Sequence, residues 1–168
     1  IAGGKTSVSA AETVIFLALM MNGPAAAALA AAAEGAVGSY KTSTRATSRI
    51  GTPAMAGLAM YASGTLYTLA IRQFTPADGP PSLFVQLAFL LPLALLYFAA
   101  GTLLMASLFT LKKGLPLQPW TILRSHSWMA LVYLASAALA ALLFAGYERL
   151  GVGVFVAALP VIAVVMLT

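Results

Sequence analysis

The sequence predicts an all-α, polytopic membrane-spanning helix bundle, and three observations lead there. Hydrophobic residues make up 61% of the 168 positions and charged residues only 8%, with a mean hydropathy of +0.96, against about 25% charged in soluble domains. Four acids and nine bases cannot supply the charged surface that a soluble domain of this length needs, which excludes a free cytosolic enzyme. The apolar runs are rich in alanine and leucine and lack the two-residue alternation of a barrel strand, so they read as helices. The formal charge of +5 falls in short clusters between these runs. That is the pattern of membrane loops, and no nucleic-acid partner is expected.

A hydrocarbon core about 30 Å thick takes about 20 helical residues. Six apolar segments answer to that requirement, over residues 8–21, 24–38, 52–71, 83–111, 128–146 and 152–168. The first two are short and flank Asn22-Gly23-Pro24, a glycine turn followed by a proline at a helix start, so they predict a tight N-terminal helical hairpin. The third is entered through Thr52 as cap and Pro53 in the first turn, where the missing N–H of proline costs nothing. The fourth, roughly 29 residues and ~43 Å if straight, is too long for one perpendicular span; either Pro92 kinks it or its first turns lie in the interface. The short link Tyr147-Glu148-Arg149 separates the last two. Residues 1–168 read as a single transmembrane domain without internal repeat. It opens at Ile1 with no signal peptide and stops at Thr168 before any polar anchor, so truncation at both ends is expected.

Orientation follows from the bases. With six crossings, Lys5, Lys41, Arg45, Arg49, Lys112, Lys113 and Arg124 fall on one side, and only Arg72 and Arg149 on the other. That asymmetry predicts a cytoplasmic basic side with both ends cytoplasmic.

Chemistry-bearing residues are few. There is no cysteine and a single histidine, His126; no phosphate loop, zinc motif or nucleophile elbow appears, so neither a catalytic residue, a metal site nor a cofactor is indicated. Glu12 and Glu34 are the informative pair, because a carboxylate in a bilayer turns to the bundle interior or a watery cavity. Folded about Asn22-Gly23, they lie about 10 and 11 residues from the turn, each ~16 Å from it. Two carboxylates at matched depth can share a proton or bind a cation or an amine-bearing ligand. The plainer reading has the hairpin sitting shallowly, with both acids reaching water or meeting Lys41 and Arg45. Lys41, Arg45 and Arg49 recur at i, i+4 and i+8, one face of a helical connection, a basic strip suited to anionic headgroups or to topology alone. His126, beside Arg124, reads as a pH switch or as a solvated interfacial residue. Trp120, Trp128 and Tyr40 on the basic side, with Tyr67 and Tyr147 opposite, fit interfacial belts. Tyr97 and the methionines lie mostly within spans, where lipid-facing or bundle packing is the default and a hydrophobic ligand pocket the alternative. Gly57 and Gly64, and Ala137, Ala141 and Ala145, offer small faces for close helix approach, within the bundle or in a homodimer.

The runs Gly3-Gly4-Lys5-Thr6-Ser7-Val8-Ser9, Phe16-Leu17-Ala18-Leu19, Asn22-Gly23-Pro24-Ala25-Ala26 and Glu34-Gly35, then the Arg45 to Arg49 connection and the helices around Trp128-Met129-Ala130 and Ala158-Leu159-Pro160-Val161, resemble the multi-helix N-terminal sensor region of bacterial signalling proteins. The resemblance implies a bacterial inner-membrane module attached to a cytosolic diguanylate cyclase (GGDEF), cyclic-di-GMP phosphodiesterase (EAL or HD-GYP) or histidine kinase output. The Ala-rich helices are also similar, more weakly, to substrate-binding subunits of vitamin transporters. The sequence departs from the sensor pattern in carrying no output domain and no helix before the Gly-Gly segment. Two functions follow. One is a sensory module that contacts lipids and a small-molecule ligand. The other is an accessory or structural subunit, lipid- or pigment-contacting, that packs against other membrane subunits, with a transporter component more distant.

Overall fold

The computed structural model describes residues 11–74, 81–113, 124–125, 127–151 and 153, the side chains at 108, 109 and 111–113 excepted. Apart from residue 153, the expected segment at 152–168 lies outside the described residues, as do Lys5, Trp120 and His126 and the side chains of Lys112 and Lys113. The described chain forms helices α1 (Ala11–Asn22), α2 (Pro24–Thr42), α3 (Ala46–Phe74), α4 (Leu83–Lys113) and α5 (Ser127–Leu150).

Each helix packs on the next in chain order, and α5 closes on α1, so the helices form a ring. Direction alternates around it: Glu12, Thr42, Ser48, Met105 and Tyr133 meet at one end, and Gly23, Ile71, Gln86 and Phe144 at the other. With an odd number of helices, alternation leaves α1 and α5 side by side and parallel.

Among the described residues, three helices are long and apolar enough to cross a membrane: α3 with 29 residues, α4 over Leu83–Ser107 with 25, and α5 with 24. Within their most apolar windows only 28%, 33% and 22% of residues are buried inside the bundle, and Leu58, Leu66, Leu69, Leu131 and Leu142 face outward. Such a surface suits hydrocarbon and not water. Six spans were expected, and the hairpin accounts for the difference in the described part. The 12 residues of α1 extend only ~18 Å, and α2 is built largely of alanine, glycine and polar residues.

The hairpin break falls where expected. Gly23 adopts φ 82° and ψ −176°, a conformation open essentially to glycine alone; its N–H donates to the Leu19 carbonyl at 2.9 Å, and Pro24 opens α2. The start of the third segment does not fall at Thr52. Helix α3 begins at Ala46 and carries Pro53 inside, because the 43–45 turn supplies its own start: the Arg45 N–H donates to Ser43 Oγ at 3.2 Å, and the Ser48 and Arg49 N–H groups to the Arg45 carbonyl at 3.0 and 3.1 Å. Pro53 then leaves the Arg49 carbonyl without its usual donor four residues on. Likewise α4 continues through Pro92 as one helix.

Small residues set the α2–α3 contact, the most extensive in the ring. A Cβ on Gly35 would lie 3.0 Å from Pro53 Cα, one on Gly57 3.3 Å from the Ala28 carbonyl oxygen, and one on Gly64 2.8 Å from Leu19 Cδ1 and 3.2 Å from Pro24 Cβ. The expected small faces of Gly57 and Gly64 therefore pack the bundle itself. On α5, Ala137, Ala140 and Ala141 are fully buried and do the same. Phe16, Ile15, Met60 and Leu90 fill the interior. Tyr67, expected in an interfacial belt, is instead buried among α1, α3 and α4, while Tyr40 and Trp128 are exposed as that belt requires.

Candidate functional site

At the basic end the ring opens into a cleft of about 770 Å³, in the size range of small-molecule pockets. All of the helices contribute to it. Glu12 comes from α1; Glu34, Gly35, Ser39 and Thr42 from α2; Ser48, Thr52 and Ala56 from α3; Tyr97 and Met105 from α4; Tyr133 from α5; and Ser43 and Arg45 from the turn between α2 and α3.

The two carboxylates expected to converge do so, within electrostatic reach of one another. Their depth follows from the helix starts. Gly35 abuts Pro53, seven residues into α3, and Tyr133 lies six residues into α5, so the acids sit ~10 Å inside the basic-end termini. The Tyr133 phenol hydrogen-bonds to the Glu12 carboxylate, and Glu12 Oε2 is buried with no partner. Aromatic rings hold this floor in place: Phe16 meets Tyr97 edge-on at 6.1 Å and 88°, Tyr97 lies 5.6 Å from Tyr133, and Tyr133 lies 5.5 Å from Phe98. Such contacts fix ring orientation as well as burying area. A carboxylate held by one phenol, with its second oxygen unpartnered, is a preorganised acceptor for a cation or a donor.

The basic strip is not one helical face. Helix α2 ends at Thr42 and α3 begins at Ala46, because Ser43 is extended (φ −140°, ψ 138°), which breaks the i, i+4, i+8 register. Lys41 is exposed at the end of α2. Arg45 lines the cleft mouth. Arg49 turns back, its Nε donating to the Ser43 carbonyl at 2.9 Å and its guanidinium lying 4.7 Å over the Tyr40 ring. The strip thus divides into a solvent base, a cleft base and a base that clasps the turn.

Tyr133 is the site residue that sequence reasoning missed, while Tyr97, whose default reading was packing and whose alternative was a hydrophobic pocket, lines the cleft beside it. The available signal was a phenol inside an apolar run, since a buried tyrosine hydroxyl needs a polar partner. Among the described residues no group of three or more His, Cys, Asp or Glu side chains is placed to hold a metal ion. Compared with protein-family models, with curated proteins and with solved structures, the chain finds no match.

Proposed function

We propose that the protein is a membrane-embedded sensory module of the bacterial inner membrane, which takes a small molecule into the cleft and answers by a change in helix packing. The observation that carries this reading is the convergence of Glu12, Glu34, Tyr97 and Tyr133 from four different helices on one open cleft. A ligand bridging them favours one arrangement of the ring over others, which is what a receptor requires. The basic residues at the same end support a cytoplasmic mouth, and the sequence resemblance to bacterial sensor regions points the same way. In this reading α3, α4 and α5 cross the bilayer and the α1–α2 hairpin is inserted beside them. Cytosolic output joined to such a module would receive the packing change.

The chain has no cysteine, so a fluorophore placed at Thr44→Cys reports on the mouth alone. In nanodiscs, the small-molecule fraction of a bacterial lysate should shift its emission saturably. The distance between spin labels at positions 44 and 127 should change with it, and Glu12→Gln with Glu34→Gln should abolish both. A probe and a distance that respond to no fraction would leave a structural subunit as the reading.

A further inference from the structure

The cleft carries opposite charge at its two ends. Its floor holds the Glu12 and Glu34 carboxylates, with Glu12 Oε2 buried and without a hydrogen-bond partner. Its mouth holds Arg45 with Ser43, Ser48 and Thr42. Between them run two turns of α2, from Glu34 to Thr42, ~12 Å along the axis. The walls along this path are mixed, with Ala31, Ala56 and Met105 beside Ser39 and Thr52.

Each part narrows the ligand. An orphaned carboxylate oxygen in a low-dielectric floor calls for a positively charged donor. Tyr97 and Tyr133 also line this part of the cleft. Two carboxylates in a cleft of about 770 Å³ leave far too much room, and too few oxygens, for a desolvated calcium or magnesium ion. A plain amine would satisfy the floor but would leave its other end facing Arg45, whose guanidinium instead suits a carboxylate or phosphate.

We propose that the cleft binds an elongated zwitterion, its ammonium group between Glu12 and Glu34 and its anionic group at Arg45. This rests on the sensory reading of the same cleft and adds the class of ligand. Two sources share that chemistry, a soluble ω-amino acid and an aminophospholipid headgroup entering from the bilayer.

The test uses the whole chain with the position-44 fluorophore, in nanodiscs of phosphatidylcholine and phosphatidylglycerol. The probes are ω-amino carboxylates from glycine through aminohexanoate to aminododecanoate, with hexylamine and hexanoate as single-charge controls. Affinity should pass through a maximum at an intermediate length, and the best zwitterion should bind about tenfold or more tighter than either control. Arg45→Gln should remove the advantage over hexylamine while leaving hexylamine binding unchanged; Glu12→Gln should weaken both. Adding phosphatidylethanolamine to the nanodiscs assigns the source: competition with aminohexanoate indicates the headgroup, and unaltered binding the soluble ligand. Equal affinities for zwitterion, amine and acid, or no length optimum, overturn the proposal. If these probes fail while the lysate fraction still moves the fluorophore, only the ligand class falls; if nothing moves it, the sensory reading falls too. Variants are compared at matched helicity and melting temperature, and the length optimum in the unsubstituted chain decides the matter independently of them.

Discussion

Gly35 and Gly38 lie three residues apart on α2, and replacing each by alanine should move stability in opposite directions. At Gly35 a Cβ would sit 3.0 Å from Pro53 Cα, 3.3 Å from Pro53 N and 3.3 Å from the Thr52 carbonyl oxygen. All are backbone atoms, and the proline ring denies that part of α3 easy adjustment. At Gly38 nothing lies within 4 Å of the added carbon. Alanine gains ~1 kcal/mol over glycine in a helix interior at either position. Overpacking at Gly35 costs ~1–3 kcal/mol, so Gly35→Ala should be net destabilising by up to ~2 kcal/mol. Gly38→Ala, near the helix end, should gain a few tenths to ~1 kcal/mol. The difference between the variants cancels the propensity and isolates the contact at ~1–3 kcal/mol. Reversible unfolding in mixed micelles, followed by circular dichroism, measures both. Variants whose stabilities agree within ~0.5 kcal/mol would refute the claim that the α2 and α3 backbones meet at Gly35.

Gly23→Ala adds no clash, since nothing lies within 4 Å. It should still cost ~1–3 kcal/mol because the φ of 82° is denied to alanine, a loss visible in the same unfolding titration. Phe16→Ala empties a fully buried position and removes the edge contact to Tyr97; the destabilisation should approach but not exceed the ~3–5 kcal/mol of aqueous cores, since lipid also solvates an exposed ring. Cysteines placed at 44 and 148 should label from opposite faces of intact vesicles, position 44 from the cytoplasmic face. Labelling of both from one face would contradict the alternation of α3 to α5.

The hairpin and its acids were legible because local chemistry encodes them: Asn22-Gly23-Pro24 marks the reversal, and near-equal offsets from it place Glu12 opposite Glu34 in any tight hairpin. The long apolar segments within the described residues were equally plain as helices. What escaped was decided elsewhere in the chain. Pro53 reads as a helix start, yet the Ser43 and Arg45 turn starts α3 seven residues earlier, and spacing alone gave no hint that Ser43 would be extended and break the basic strip. Tyr67 has the polar tip of an interfacial anchor, but the ring closure buries it. Tyr133 joins the site only because α5 packs on α1, a contact between helices far apart in the sequence that no local pattern announces.

The small-residue surface that lets α2 lie so close to α3 also bears on how the chain enters the bilayer. Leucine and isoleucine each favour insertion by a few tenths of a kcal/mol, whereas a mid-helix charge costs ~2.5–3.5 kcal/mol. Helix α2, with Glu34 among its alanines and a single leucine at Leu29, has little of its own to offset that cost, and α1 must bring in Glu12 as well. Helix α2 is therefore a poor candidate for independent insertion by the translocon. The Glu12 carboxylate gains the Tyr133 phenol only once α5 is present. Biogenesis should run against the order of synthesis, with the three long helices settling first and the N-terminal hairpin sliding into the gap they leave. The last surface to form would then be the cleft itself.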